Sequence, residues 1–358
     1  MASWSALAKR IVEGINAQPG ELILVQDHMD HAELLREVLL AVDCAGATPL
    51  IDAQSPVYLN RWLAEASAEA VQQSSHHRLR WMREADRVIR LSGGIPNFAL
   101  AAPDTLAAWQ IMDEELSRLE DSRQLPVLVV AVPTQQMADR VGMPLRQLED
   151  HLLAACLFSG SESQMLIEQV RTMLAGNHIV IGTGNGYELH LDHGARYWHG
   201  DDGVIDEADR QRKTIVSNLP AASVYTTVLE DQTHGTLYLP QVGEATQVLF
   251  HFEAGRITNI EAANGAEQIA AWLDSYSGET RRISHIGIGL NPHLQQPIGW
   301  TIVDEHVVGS LFLALGENRY MGGQNESSLN HDFALHGASL SVDGRMIVRK
   351  GNLDRVTG

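Results

Sequence analysis

Two short polar clusters set in apolar sequence carry the chemistry of this chain. Residues 283–292 read Ile-Ser-His-Ile-Gly-Ile-Gly-Leu-Asn-Pro, and residues 329–335 read Leu-Asn-His-Asp-Phe-Ala-Leu. The first presents His285 from a short apolar strand, and the second offers Asp332 with His331 and Asn330. Imidazole and carboxylate are ordinary ligands of divalent metals, and short strands hold them rigidly enough to fix geometry. Strand alternation puts His285 on one face with Ile283 and Gly287, and Ser284 on the other. In a regular strand Asn330 and Asp332 share a face while His331 points away; a β-bulge would reverse this. The expected site is therefore His285 and Asp332, completed by His331 or Asn330. Gly287 and Gly289 leave room beside His285, as where something must approach the backbone closely. The competing reading is a core histidine bonded to a carbonyl, with a solvated edge strand after it.

Between the clusters, an apolar run to Gly316 enters a loop dense in Gly, Asn and Glu. Loops of this kind between core strands commonly form pocket walls. Glu317, Arg319, Asn325 and Glu326 are its candidates for substrate contact. His306, after Asp304-Glu305, is a weaker one.

The elements that must position these residues fall into two halves. Glu21–Gln26, Thr48–Asp52, Asp86–Leu91 and Leu125–Val132 are apolar strands. Helical patterns separate them at about His31–Cys44, Val57–Val71 and Thr105–Leu119. Such alternation predicts an open parallel sheet with both faces covered. From about residue 176 the pattern changes to period-two strands at 180–184, 187–191, 235–239, 247–252 and 256–260. Hairpin turns are expected at Gly255 and Asp343-Gly344, and one helix near Gly265–Ser275. The expected fold class is an α/β domain over residues 1–175, then a largely antiparallel α+β domain over residues 176–358 carrying the metal site. Eleven of the 16 histidines lie in the second half. Gly182-Thr-Gly-Asn-Gly186 superficially resembles a phosphate loop, but no helical pattern follows, so a tight hairpin is expected.

At 358 residues, 44% hydrophobic and 20% charged, the chain has the composition of a globular protein with room for two cores. The net charge of −19 disfavours nucleic acid and anionic membrane surfaces as partners. No apolar run reaches the roughly 18 residues of a membrane-spanning helix. The first residues suggest an amphipathic helix, and a cytoplasmic location is expected. Cys44 and Cys156 lack metal-type spacing and are expected to be core thiols.

These stretches, together with Asn218-Leu-Pro-Ala-Ala-Ser-Val-Tyr225 and Gly235-Thr-Leu237, resemble the thermophilic aminopeptidase family and its relative 2,5-dihydroxypyridine dioxygenase. The resemblance covers nearly the whole chain and implies an α/β domain followed by a β-rich metal-carrying domain, assembled as a homodimer or larger homo-oligomer. Against the aminopeptidases, one metal-site glutamate position falls on Ser223, a second falls on His285, and a metal histidine falls on Phe312. Those changes remove the bridging carboxylates of a two-metal centre. The dioxygenase matches better, through Ile-Ser-His-Ile-Gly, the absence of histidine at Phe312, and Gly322-Gly323 followed by a polar stretch ending in aspartate. It implies iron on two histidines and an aspartate: His285 and Asp332 carry over, and the second histidine falls on Asn330, one place from His331. Its first-domain histidine has no counterpart in Ser92–Asn97.

The resemblance thus implies a mononuclear metalloenzyme, foremost a non-haem Fe(II) ring-cleaving dioxygenase acting on a small hydroxylated heteroaromatic. Ser223, Arg319 and Glu326 are its expected catalytic and pocket residues. The alternatives are an aminopeptidase-like or amide-cleaving hydrolase using Zn, Mn or Co at the same residues, and a non-catalytic small-molecule-binding relative.

Overall fold

A computed structural model describes residues 3–354. The chain forms two compact units, one of residues 1–160 with 203–221, the other of residues 161–202 with 222–358. The division is therefore not a single cut near residue 175. The helix Gly160–Met173 lies almost wholly in the second unit, and a later segment returns to the first.

The first unit holds strands β1 (Leu22–His28), β2 (Thr48–Ala53), β3 (Arg87–Ser92) and β4 (Val127–Ala131). A returning strand, β8 (Val216–Leu219), completes one parallel sheet in the order β2-β1-β3-β4-β8. Successive side chains on β1 feed opposite faces, so Ile23 and Val25 pack with Leu7, Ile11, Leu34 and Val38, while Leu24 packs with Met82, Met112 and Leu116. The helix predicted over 57–71 is instead two, Pro56–Glu65 and Ala68–Glu84. The second is capped by Ser67, whose side chain accepts from the Ala70 amide. Cys156 is buried as expected, whereas Cys44 is an exposed free thiol. Among the described residues no helix is long and apolar enough to cross a membrane.

The second unit contains two antiparallel sheets. Strands β5 (His178–Gly184), β6 (Tyr187–Asp192), β10 (His234–Val242), β11 (Ala245–Glu253), β12 (Arg256–Glu261), β16 (Ser339–Val342), β17 (Arg345–Arg349) and β18 (Asn352–Leu353) form an eight-stranded sheet. The glycine-rich segment is the β5–β6 hairpin turn, with Asn185 and Gly186 at φ 51° and 81°. Ala254-Gly255 and Asp343-Gly344 are left-handed turns of the same kind.

The other sheet has the order β15-β14-β13-β9-β7, from β7 (His199–Asp201), β9 (Ser223–Thr227), β13 (Ile283–Gly289), β14 (Leu311–Gly316) and β15 (Asn330–Leu335). Central β13 is buried at every residue. The face of this sheet bearing Phe333 meets Phe250 of the larger sheet, with ring centroids 6.1 Å apart. The opposite face bears the candidate site.

Candidate active site

The site starts from an irregularity in β13. Ile283 pairs with Leu315 and Ile286 with Leu313, so Ser284 and His285 together oppose a single residue of β14. That extra residue is a β-bulge, and it overturns the alternation predicted for Ser284 and His285. Both side chains reach the same cluster, with Ser284 Oγ 2.9 Å from His285 Nδ1. On β15 the register with β14 is unbroken from Asn330 to Leu335, so the bulge considered there does not occur.

Hydrogen-bond bookkeeping fixes the imidazole. Ser284 Oγ has one proton, which it donates to the Glu317 carbonyl. It must then accept from His285, so Nδ1 carries a proton. Nε2 faces Asp332 Oδ1 at 2.8 Å. That oxygen is buried and accepts no well-formed hydrogen bond. Burial would raise the Asp332 pKa, but the charge and contact of His285 outweigh it and hold the carboxyl below its usual value. Tyr320 completes the inner ring. Its hydroxyl lies 3.5 Å from His285 Nδ1 and accepts from Asn330 Nδ2 at 3.3 Å. Burial of that hydroxyl, then the Asp332 charge, raises its pKa, so it remains a neutral donor although the ring edge is exposed.

The bulge is braced from outside. Thr227 Oγ1 donates to the Ser284 carbonyl at 2.6 Å and accepts from Asn318 Nδ2 at 2.8 Å. Asn325 Nδ2 donates to the Ile283 carbonyl at 3.0 Å, and its own amide donates to Asn318 Oδ1 at 2.8 Å. A Cβ on Gly323 would sit 2.1 Å from the Asn318 side chain, so only glycine lets the loop close over it. Glu230 receives Arg196 Nη2 at 2.8 Å and the Gln324 amide at 2.8 Å. Burial alone would raise the pKa of Glu230, but these donors lower it. Loop 317–328 is thus a rigid brace as well as a wall.

Several expectations for individual residues are revised. His331 turns to the far face, where its ring meets Trp272 at 4.8 Å and Phe333 at 4.9 Å. Asn330 lies on the Asp332 side, as strand alternation requires. The histidine, histidine, aspartate triad is therefore not assembled. Arg319 and Glu326 pair with each other at 3.3 Å on the exposed rim, Arg319 also holding Glu317 at 2.9 Å. Ser223 pairs with Gly289 while His285 pairs with Thr227, a separation of about 13 Å along the strand. Gly287 and Gly289 do not make room for a ligand. A Cβ at Gly287 would lie 2.1 Å from the Phe312 ring, and one at Gly289 2.3 Å from the Val307 carbonyl.

A second polar group was largely invisible in the sequence. His306 Nε2 lies 3.5 Å from Glu305 Oε1 and 3.8 Å from Asp201 Oδ2, and neither ring nitrogen is hydrogen-bonded. Burial lowers the His306 pKa to about 3. Burial, then the charges of Asp332, Asp201 and Asp304, raise the Glu305 pKa well above its ordinary value and favour its protonated form. The dipeptide Glu305-His306 was visible, but the partners Asp201 and Asp332 come from strands far away in sequence. Aromatic rings line the same face, with Tyr225 6.3 Å and Phe312 6.0 Å from His285 by centroid. A cleft of about 410 Å³ bounded by Glu33, Glu37, Arg146 and Glu149 lies in the first unit and shares no residue with this site.

Comparison with known proteins agrees with the architecture. AmpT from Thermus thermophilus superposes with a TM-score of 0.74 at 16% identity, over 98% of this chain and 99% of that one. The 2,5-dihydroxypyridine dioxygenase of Pseudomonas putida KT2440 gives 0.62, also at 16% identity, over 99% of this chain and 98% of that one. At that identity each likeness establishes the fold alone. No curated protein sequence matches the chain at significance. A family model described as thermophilic metalloprotease (M29) matches residues 3–352. An α/β unit followed by a β-rich unit and this match over nearly the full length lead to one conclusion: the chain belongs to the thermophilic metalloprotease (M29) family.

Proposed function

We propose that the chain is an aminopeptidase-like hydrolase that cleaves a small amide or short peptide at a single divalent metal held by His285 and Asp332. The observation that carries this reading is the pair itself. His285 Nε2 and Asp332 Oδ1 face each other at 2.8 Å, with Ser284 Oγ holding the other side of the imidazole at Nδ1. A divalent ion could take the place of the proton between them, since cis ligands at about 2.1 Å from one ion lie roughly 3 Å apart. The Ser284–His285 bond is the outer-shell contact that orients a ligating imidazole.

The donor set suits one ion, not two. Ser223 and Phe312 stand where the resemblance puts further ligands. Among the described residues no group of three or more His, Cys, Asp or Glu could hold a metal. Asn330, on the Asp332 side, offers a carboxamide oxygen; water and substrate would supply the remaining positions. Family membership implies a divalent metal, and no residue here favours iron over zinc, manganese or cobalt.

When bound, the ion would polarise the substrate carbonyl and acidify a water. Glu305, whose pKa is raised by burial and then by the Asp332 charge, is suited to hand a proton to the departing amine. Tyr320 keeps its proton and orients Ser284 and Asn330. Tyr225 and Phe312 give an apolar wall that suits an uncharged or aromatic side chain.

The test is turnover of aminoacyl-nitroanilides and short peptides under nitrogen, before and after chelation. Expected are oxygen-independent hydrolysis, loss on chelation, restoration by Zn, Mn or Co, and no activity in H285A or D332N. Ring cleavage of a hydroxypyridine that consumes oxygen would replace this reading with the dioxygenase.

A further inference from the structure

The outer face of the eight-stranded sheet carries a second histidine group that the proposed reaction does not use. His178 on β5, His190 on β6 and His234 on β10 occupy adjacent strands, with His190 directly opposite His234 and His178 opposite Asp192. His178 Nε2 and His190 Nδ1 are 3.3 Å apart. The His234 ring lies parallel to His190, 7° between planes and 4.9 Å between centroids.

The proton positions follow from the carboxylates behind the rings. Asp192 Oδ1 lies 2.9 Å from His178 Nδ1 and can only accept, so His178 carries its proton there and leaves Nε2 as a lone pair. Glu188 Oε2 stands 3.7 Å from His190 Nε2, beyond hydrogen-bond reach, and His190 Nδ1 hydrogen-bonds the His178 Nε2 lone pair. The two nitrogens face each other across a proton that a bound ion would replace. Nitrogen donors at 2.0–2.1 Å from a tetrahedral ion are about 3.3–3.4 Å apart, which is the spacing already present. A carboxylate behind a histidine is also the recurrent outer shell of zinc-bound imidazole.

We propose that His178 and His190 form a binding site for a divalent transition metal of the zinc or nickel class, with Asp192 orienting His178. Water fills the open positions, and the His234 ring stacks on His190 beside them. The ion clips β5 to β6 at the end of the hairpin opposite the Gly184–Gly186 turn. The site belongs to a different sheet from His285 and does not depend on the hydrolase reading. Burial and its histidine neighbours also lower the His190 pKa, keeping the ring in its neutral, ligating form.

The experiment is calorimetric titration of metal-stripped, full-length H285A protein with Zn²⁺ at pH 7.5, so that the other site cannot contribute. One equivalent is expected, with Kd raised at least 10-fold in H285A/H190A and about 10-fold in H285A/D192N. A drop to pH 5.5 weakens binding further, because both rings must lose a proton to ligate. Independently of any substitution at the pair, zinc should protect His178 and His190 from diethylpyrocarbonate, read by peptide mass spectrometry. An unchanged Kd in H285A/H190A, or equal modification of both histidines with and without zinc, would overturn the proposal.

Discussion

Ser284 and His285 are adjacent in sequence yet reach the same cluster, Oγ to Nδ1 at 2.9 Å, because a β-bulge in β13 cancels the alternation of the strand. The serine decides which imidazole nitrogen is free. Its own proton is committed to the Glu317 carbonyl, so the tautomer is set by the closure of loop 317–328.

Removing that hydroxyl is therefore expected to act through the histidine. S284A should lower kcat/KM for peptide hydrolysis and metal affinity by about 10–100-fold, while shifting stability little. Steady-state kinetics alongside metal titration checks this. Equal activity in S284A would mean the tautomer is set elsewhere.

The two candidates for the third ligand position give opposite expectations. H331A removes a ring packed on Trp272 and Phe333 on the far face, so it should reduce stability and keep metal content within about twofold. N330A should weaken the metal and loosen Tyr320, whose hydroxyl accepts from Asn330. Elemental analysis of the two variants separates them, and metal loss in H331A would reverse the assignment.

Gly287 is expected to be intolerant for a packing reason. A Cβ would fall 2.1 Å from the Phe312 ring, so G287A should cost about 1–3 kcal/mol by overpacking. F312A creates a cavity costing about 3–5 kcal/mol. The double variant G287A/F312A should be less destabilised than the sum of the two. Urea unfolding measures the coupling, and simple additivity would show that the ring can move away freely.

His28, in the first unit, gives a pH dependence whose sign is fixed. Burial, then Arg90 and Arg78, lower its pKa from 6.5 to about 4, and its Nε2 is buried without a partner. Between those values the unfolded chain binds more protons than the folded one, so stability rises with pH. The contribution is fully present above pH 6.5 and is lost as pH falls towards 4, on the order of 3 kcal/mol in total. Urea midpoints at pH 7 and pH 5 should differ less in H28Q than in the wild-type chain. Identical differences in the two would show that His28 is solvated.

The histidine and aspartate of the candidate site were legible because their types are scarce in apolar strands. Asn330 and Asp332 share a face because strand period is 2, and the unbroken β14–β15 register keeps it so. The parallel and antiparallel halves were legible for the same reason, since burial on two faces gives continuous apolar runs and burial on one gives alternation. The single break in the predicted second helix was not, because Ser67 competes with the helix only through its cap.

Sequence alone determined the strand and helix periods, the hairpin turns at glycine, and which residues could ligate or move protons. Tertiary structure decided how they combine. The bulge at Ser284–His285 depends on pairing with β14, which lies some thirty residues away. Phe312 explains Gly287 only once the two strands are side by side. The Glu305 pKa is pushed up only by burial and by Asp332 and Asp201 being brought beside it. Local pattern fixes periodicity because it follows from backbone geometry. Register, burial and charge proximity arise between distant segments, and no single segment encodes them.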